Sequence, residues 1–361
     1  MAVQNSVCRL LELKKSLLAA LLFCFSLSSL FPNIAQSACD SLFSRATTTK
    51  MSEGRYSYIS SAMECSGKSR ANSNSFAAPS DFCNFFANLD PVARIEDSLQ
   101  VAQLIEYGYN ALTMMDSGAV YLTVGDADTY AAWCLQRVFG IRNDVLVISL
   151  PYLIAPDYRS ELVRDKTFAR VFGILPESLL PLPPTTASTD SARDSLVAMW
   201  KRNTRKAPIY FSPACALSLD CDTNLVSIGL VFSYESPPRT SRQIHSQLLD
   251  KMKNEWQLSE ASRGMPEAEL AIKNCMIQYL TTSMIEGAQM HRNGDSTMLI
   301  EFFQILDPVC SANWQFNMAR LSLCTESAEQ CDRYLQRIKD YAASHPDDAL
   351  ARKFLDRLDE N

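Results

Sequence analysis

The sequence lacks the short motifs by which many nucleotide-dependent enzymes bind phosphate. Neither G-x-G-x-x-G nor a P-loop pattern occurs among its 361 residues, which argues against a nucleotide cofactor. No C-x-x-C pair occurs, so neither a zinc knuckle nor a thioredoxin-type redox site is indicated. Histidine is scarce, with three residues, and no nucleophile elbow accompanies them. We therefore expect no cofactor.

A basic block is also missing. Lys and Arg total 34 against 40 Asp and Glu, which gives a formal net charge of −6. This balance argues against nucleic acid and anionic membrane surfaces as main partners. Hydrophobic residues make up 47% of the chain, enough for real cores, and the length allows two or three domains.

The first 37 residues have the order of a secretory signal peptide. Basic residues precede an apolar run over residues 16–31, and the small residues Ala35 and Ser37 suit cleavage after Ser37. The run is shorter than the about 20 residues that a membrane span needs. We predict export to the bacterial periplasm or cell envelope, with no integral span after cleavage. The alternatives are a retained N-terminal anchor and lipoprotein processing at Cys39.

The cysteines predict disulfide bonds. Cleavage after residue 37 leaves ten of the twelve cysteines, and an even number is typical of a disulfide-bonded exported chain. Short loops favour Cys215 with Cys221, and Cys324 with Cys331. The full connectivity stays open, because it does not follow from sequence alone.

Four segments follow from the pattern along the chain. They are the signal peptide (1–37), a loop-rich segment that contains cysteines (38–95), an α/β domain (96–238) and a helical, repeat-like domain (239–361). The second segment is rich in Ser, Ala and Asn and contains no catalytic pattern.

Helical and strand patterns alternate through the predicted α/β domain. A helix begins near residue 97, and two continuously apolar stretches, 119–124 and 145–150, flank a helical pattern over 129–139. Continuous apolar strands in a unit of about 30 residues are typical of a parallel β-α-β crossover. A-P-I-Y-F-S-P-A-C predicts a third strand and L-V-S-I-G-L-V-F-S-Y-E a fourth. We predict a small, mostly parallel sheet with flanking helices.

Strand patterns disappear after about residue 240. Short turns at Asn293-Gly294, Asp307-Pro308 and His345-Pro346 separate helical patterns, which predicts an antiparallel helical array. The predicted helices are 267–289, 296–306, 312–323, 329–343 and 347–358.

Two segments resemble known families. The stretch G-D-A-D-T-Y-A-A-W-C-L-Q-R-V-F-G-I-R-N-D, residues 125–144, resembles the soluble C-terminal domain of bacterial protein O-mannosyltransferase-like membrane proteins. Those proteins carry the same Gly-Asp-x-Asp-Thr-aromatic loop, Trp-x-Leu-Gln helix and Gly-Ile-Arg-x-Asp turn. The resemblance covers about residues 97–236 and implies an α/β fold in a cell-envelope context. The family's many-span membrane part, to which glycosyl transfer is ascribed, has no counterpart in this sequence, so transferase activity is not implied.

The C-terminal region is similar to tetratricopeptide repeats. A helix with the small residue Ala319, a turn, a second helix and then H-P-D-D before another helix follow that plan, although one repeat is visible. The resemblance implies a surface that binds a protein partner.

Two carboxylates, Asp126 and Asp128, follow the first predicted strand directly. In the structural interpretation Asp128 caps the next helix, and both carboxylates favour its positive end. In the functional interpretation they belong to a ligand site, because ligands of open α/β sheets bind outside the carboxyl ends of the strands. A cap needs only one of the two residues, so the helix does not account for Asp126.

The ligand-binding candidates combine carboxylates with aromatic side chains. Together they could bind a cation, for which Asp126 and Asp128 are weak candidates, or sugar hydroxyls. A tryptophan at the spacing of Trp133 is more often a core residue than a ligand platform. We predict a non-catalytic scaffold or glycan-binding module with a helical protein-interaction tail, and assign no catalytic residue. The alternative is an envelope-glycan-processing enzyme that uses the two carboxylates, with or without a divalent cation. The candidates are Asp126, Asp128, Tyr130, Trp133, Tyr152 and Asp157.

Overall fold

The computed structural model describes residues 99–173, 180, 190–202, 207–216, 225–234, 239–259, 270–323 and 327–359. The predicted signal peptide, Cys39 and the loop-rich segment 38–95 lie outside these residues. The chain divides into two compact units, one of which comprises Leu99–Trp133 and Arg142–Asn361. The fold described below is that of this unit.

The described strands form a five-stranded mixed sheet in the order β2-β1-β3-β5-β4. β1 pairs in parallel with both β2 and β3, which confirms the predicted crossover. Every residue of β1 and β3 is buried, as their continuously apolar sequences require. The strands are β1 (Val120–Thr123), β2 (Leu146–Ser149), β3 (Ile209–Phe211), β4 (Leu225–Ile228) and β5 (Val231–Tyr234).

The stretch that was predicted to be a fourth strand is a β-hairpin. β4 and β5 pair antiparallel on either side of Gly229-Leu230, and β5 also pairs antiparallel with β3, so the sheet is mixed. Gly229 has φ = +77°, which glycine adopts without strain. A single glycine in an otherwise apolar run is a weak turn signal, and this explains the error.

Helices flank the sheet, as predicted. α2 begins at Asp126, three residues earlier than expected, because the Gly125 carbonyl already accepts the Thr129 N–H at 3.0 Å. The helices are α1 (Leu99–Thr113), α2 (Asp126–Phe139), α3 (Pro156–Arg164), α4 (Lys166–Phe172), α5 (Asp190–Arg202) and α6 (Pro213–Ala216); a 3₁₀ turn spans Pro151–Ile154.

The C-terminal region is a helical array, which confirms the predicted fold class. Helices adjacent in sequence pack together, among them α8 with α9, α10 with α11, and α11 with α12. Among the described residues we find no helix with the length and apolar character that a membrane crossing requires. The array consists of α7 (Ser241–Asn254), α8 (Leu270–Arg292), α9 (Ser296–Cys310), α10 (Trp314–Ser322), α11 (Ala328–Ser344) and α12 (Ala349–Asp359).

Two features of the array differ from the sequence prediction. α7 was not predicted; it begins with a capping box between Thr240 and Gln243 and buries one apolar face. The turn predicted at Asp307-Pro308 is wrong, since α9 continues through Pro308 to Cys310. Proline removes one hydrogen-bond donor, but the Asp307 carbonyl still accepts the Ser311 N–H at 2.9 Å.

α1 connects the α/β part to the array. It packs against α8, and the buried Asn110 amide donates to the Gln257 carbonyl at 2.6 Å and to the Tyr279 hydroxyl at 2.8 Å. Asn110 Oδ1 in turn accepts the Gln257 N–H at 2.8 Å. Residues on both sides of the predicted boundary between 238 and 239 therefore belong to one compact unit.

Candidate functional site

The carboxyl ends of the three parallel strands form one edge of the sheet. α2 follows β1 at this edge, the 3₁₀ turn Pro151–Ile154 follows β2, and α6 follows β3. The predicted candidates Asp126, Asp128 and Tyr152 all belong to these connections. This carboxyl edge is where open α/β sheets bind ligands.

Asp128 bridges three segments of the chain. Its Oδ1 accepts a hydrogen bond from the Tyr107 hydroxyl of α1 at 3.0 Å, and its carboxyl accepts a second from the Ser212 hydroxyl, which follows β3. Burial raises the pKa of Asp128 to about 6, although both hydrogen bonds act to lower it. The predicted N-cap role is wrong, because Asp128 lies inside the first turn of α2.

Asp126 is the first residue of α2 and is exposed. Among the described residues its side chain makes no hydrogen bond and no ion pair. Although the residue as a whole is exposed, neighbouring protein partly desolvates the carboxyl and raises its pKa. The two carboxylates therefore do not converge on one role: Asp128 is engaged by buried hydroxyls, and Asp126 is open to a ligand.

Four aromatic side chains pack together at the carboxyl edge; we call Tyr130, Trp133, Tyr152 and Tyr158 the edge aromatic cluster. Trp133 lies 5.5 Å from Tyr152 and 6.0 Å from Tyr158 between ring centroids, and the hydroxyls of Tyr130 and Tyr152 form a hydrogen bond. Trp133 is 3% exposed, so it is a core residue rather than an open platform. Tyr152 is the half-buried member.

Asp157, the remaining candidate, lies apart from these contacts. It is exposed in the first turn of α3 and makes no hydrogen bond or ion pair with the described residues. Its neighbour Tyr158 joins the site instead, and the Tyr158 hydroxyl accepts the Ser149 N–H at 2.9 Å. Tyr107 and Ser212 were missed by the sequence analysis. Ser212 directly follows a parallel strand, and that position could have identified it.

The disulfide predictions have different outcomes. Cys215 is a buried free thiol in α6, so the predicted bond to Cys221, which lies outside the described residues, is wrong. The Cys215 thiol is enclosed in the core, and burial raises its pKa to about 12. Cys331 takes part in a disulfide bond. Its pairing with Cys324, which lies outside the described residues, stays a prediction.

The Gly-Ile-Arg-x-Asp turn has a structural role. The Arg142 guanidinium pairs with Asp144, lowers the pKa of that carboxyl to about 2, and binds the end of α1. Asp144 in turn accepts the Gly118 N–H at 3.0 Å just before β1. Arg142 thus fixes α1 against the start of β1. The carbonyls that it binds are those of Leu112, Met115 and Asp116, at 2.5, 3.0 and 2.9 Å.

The described residues contain no group of three or more His, Cys, Asp or Glu side chains arranged to bind a metal ion. Chemically, the carboxyl edge offers one open carboxylate and a hydrogen-bonded tyrosine pair. Asp126 and Tyr130 are four residues apart on α2 and share one helix face, and Tyr130 contacts Tyr152. Such a surface accepts hydrogen bonds from hydroxyl groups better than it supplies an acid and a base.

Comparison with known proteins identifies one region of the chain. Residues 104–170 match the family model described as TMEM260-associated domain 2. No curated protein and no solved structure matches the chain. The matched region runs from α1 into α4 and contains Asp126, Asp128, the edge aromatic cluster and the Arg142–Asp144 pair. The match is consistent with an association with O-mannosyltransferase-like proteins, and over these residues the chain is similar to TMEM260-associated domain 2.

Proposed function

We propose that the chain is a non-catalytic module of the cell envelope that binds a hydroxyl-rich ligand, such as a glycan, at the carboxyl edge of its sheet. The observation that carries the proposal is the difference between the two carboxylates. Asp128 is held by Tyr107 and Ser212, whereas Asp126 is exposed and has no partner among the described residues. A ligand therefore meets one free carboxylate rather than an acid–base pair.

The neighbours of Asp126 support a hydroxyl-rich ligand. Tyrosine hydroxyls donate and accept hydrogen bonds, and a carboxylate accepts them from ligand hydroxyls. Tyr130 lies one helical turn from Asp126, and the half-buried ring of Tyr152 packs against Tyr130. Aromatic rings next to a few polar groups are common in small-molecule sites.

The proposal extends to location and partners. The signal-peptide pattern of residues 1–37 supports export. The helical array supports docking of a protein partner, because stacked helix pairs present extended surfaces for binding. Leu350, at the start of α12, is 66% exposed and is a candidate contact for that partner.

The alternative is an envelope-glycan-processing enzyme. One observation favours it: the pKa of Asp128, about 6, suits a general acid. Tyr107 and Ser212 nevertheless occupy two hydrogen-bonding positions of this carboxyl, and both residues are buried. This arrangement favours a structural role for Asp128 over proton transfer to a ligand.

Titration of the full chain with a panel of neutral oligosaccharides tests the proposal. We expect at least one oligosaccharide to bind, and Asp126→Asn to weaken that binding by about tenfold, the effect of losing a hydrogen bond to a charged group. The melting temperature should change little, because Asp126 has no hydrogen-bond or ion-pair partner among the described residues.

Asp332→Asn is the matched control. Asp332 is an exposed carboxylate on α11 and has no ion pair with the described residues, so its replacement makes the same charge change away from the carboxyl edge. The proposal is wrong if no oligosaccharide binds the wild-type chain, or if the Asp126 and Asp332 variants bind equally well. Wild-type cleavage of a bound oligosaccharide would support the enzyme instead.

A further inference from the structure

A buried histidine and a buried glutamate face each other between α7 and α8. His245 Nε2 lies 3.5 Å from Glu286 Oε2, and both side chains are 0% exposed. Among the described residues, neither His245 ring nitrogen has a hydrogen-bond partner, and neither does Glu286 Oε2. Two ionisable side chains that are both fully buried, with facing atoms that lack hydrogen bonds, are costly, so their protonation has a direct effect on packing.

The pair lies beneath the β4–β5 turn. Glu286 Oε1 accepts the Gly229 N–H at 3.5 Å, and the Thr282 hydroxyl, also on α8, donates to the Gly229 carbonyl at 2.8 Å. A β-carbon at Gly229 would lie 2.9 Å from Leu248 Cδ1 of α7 and 3.5 Å from the Trp256 ring. The tip of the hairpin is therefore inserted against the two helices that carry the pair.

No other described charged group compensates the pair. α7 packs against α8, α9 and β4, and α8 packs also against α1 and α10. Four charged side chains on these helices are exposed: Arg242, Asp250, His291 and Arg292. The other charged side chains that the structure describes on these helices have partners elsewhere: Glu106 with Ser259, Lys251 with the Thr113 carbonyl, Lys253 with Glu301, and Arg320 with Asp307. β4 carries no charge.

We propose that His245 and Glu286 form a proton-dependent joint between the sheet hairpin and the helical array. With one proton between them the pair is electrically neutral overall, as an ion pair or as two neutral groups. A second proton leaves a buried positive charge, and loss of the proton leaves a buried negative charge. Either uncompensated buried charge destabilises the packing around the pair, so the hairpin is held most firmly in an intermediate pH range.

Hydrogen exchange of the full chain as a function of pH tests this joint. The protection factor of the hairpin segment, residues 225–234, is compared with that of α3. This helix belongs to the α/β part and is distant in sequence from His245 and Glu286, so it serves as the internal reference. In the wild type we expect hairpin protection to pass through a maximum and to fall at least about tenfold on both the acid and the alkaline side, while α3 does not follow it.

Two single variants separate the two limbs of this profile. Glu286→Gln keeps the acceptor for Gly229 but removes the carboxylate, so protection should fall only on the acid side, where His245 gains a proton. His245→Gln leaves the carboxylate alone, so protection should fall only on the alkaline side. A flat wild-type profile, or single variants that keep both limbs, overturns the proposal. If one variant does not fold, the wild-type profile and the other variant still decide.

Discussion

The hydroxyl of Tyr107 donates a hydrogen bond to Oδ1 of Asp128 at 3.0 Å across 21 positions of the sequence. This contact ties α1 to the first turn of α2, and the Ser212 hydroxyl extends it to the segment after β3. Asp128, which the sequence pattern places in a loop motif, therefore connects three segments of the chain. Its partial burial makes its ionisation a measurable property of the fold.

Asp128 should make the stability of the protein depend on pH. Its folded pKa, about 6, is above the ordinary value of 3.8, so the folded state binds the proton more tightly. The resulting stabilisation is fully present below pH 3.8 and is lost as the pH rises through about 6. Asp128→Asn should remove this loss, which is on the order of 1–3 kcal/mol.

Urea unfolding of both chains at several values between pH 4 and pH 7 measures the effect. The relevant quantity is the difference between the two free energies of unfolding, because other carboxyls, such as Asp144, have lowered pKa values and the opposite pH dependence. Asp332→Asn, which removes one exposed carboxylate on α11, is the control for the change in net charge. A constant difference between wild type and Asp128→Asn would contradict the raised pKa.

Replacement of Arg142 by Lys should destabilise the protein by about 2–4 kcal/mol. Arg142 binds three carbonyls and both oxygens of Asp144, and the single ammonium group of Lys cannot reproduce this geometry. Thermal and urea unfolding measure the loss. Arg333→Lys is the control, because Arg333 pairs with Glu329 on the surface of α11, where an ion pair contributes little. Equal effects of the two changes would contradict the role of Arg142.

Gly229→Ala should destabilise the protein more than Gly294→Ala. The two glycines have similar dihedrals, φ = +77° and +74°, so the backbone strain of an alanine is similar. An alanine β-carbon at 229 meets Leu248 at 2.9 Å, whereas nothing lies within 4 Å at 294. We expect an additional cost of about 1–3 kcal/mol at 229, measured by urea unfolding. If the two variants are equally stable, the hairpin tip is not tightly packed.

A photo-crosslinking side chain at position 350 should capture the proposed protein partner. Leu350 is the most exposed large apolar residue in the described part of the chain, and it lies on the array. Ile154, at 46% exposed on the 3₁₀ turn, is the matched position on the α/β part. In envelope extracts, the chain with the crosslinker at position 350 should give a discrete crosslinked product. The chain with the crosslinker at position 154 should not give that product. Identical products from the two positions would argue against docking on the array.

Local signals predicted much of the fold. β1 and β2 could be predicted because buried parallel strands are continuously apolar. Most helices of the array could be predicted because turns such as Asn293-Gly294 and His345-Pro346 separate them. α7 was missed, although its Thr240–Gln243 capping box could have identified it. The hairpin was missed because Gly229 interrupts an apolar run without any polar turn residue.

The candidate site was predicted less completely, because its contacts join distant segments. Topology placed Asp126, Asp128 and Tyr152 on one edge, but no local pattern connects Tyr107 to Asp128. Whether a carboxylate faces ligand or core depends on such partners. Cys215 shows the same difficulty: a short spacing favoured a disulfide bond, whereas the end of β3 places the thiol in the core.

The hydrogen bonds of Asn110 make the folding unit larger than the region that is similar to other proteins. Its side chain lies on α1 within the matched residues 104–170. Its partners, Gln257 and Tyr279, both lie far beyond residue 170, where that region ends. A chain cut after residue 238 would leave this buried amide without its partners. A protein that inherits residues 104–170 alone must therefore supply a substitute for α8 and the segment before it, or change Asn110.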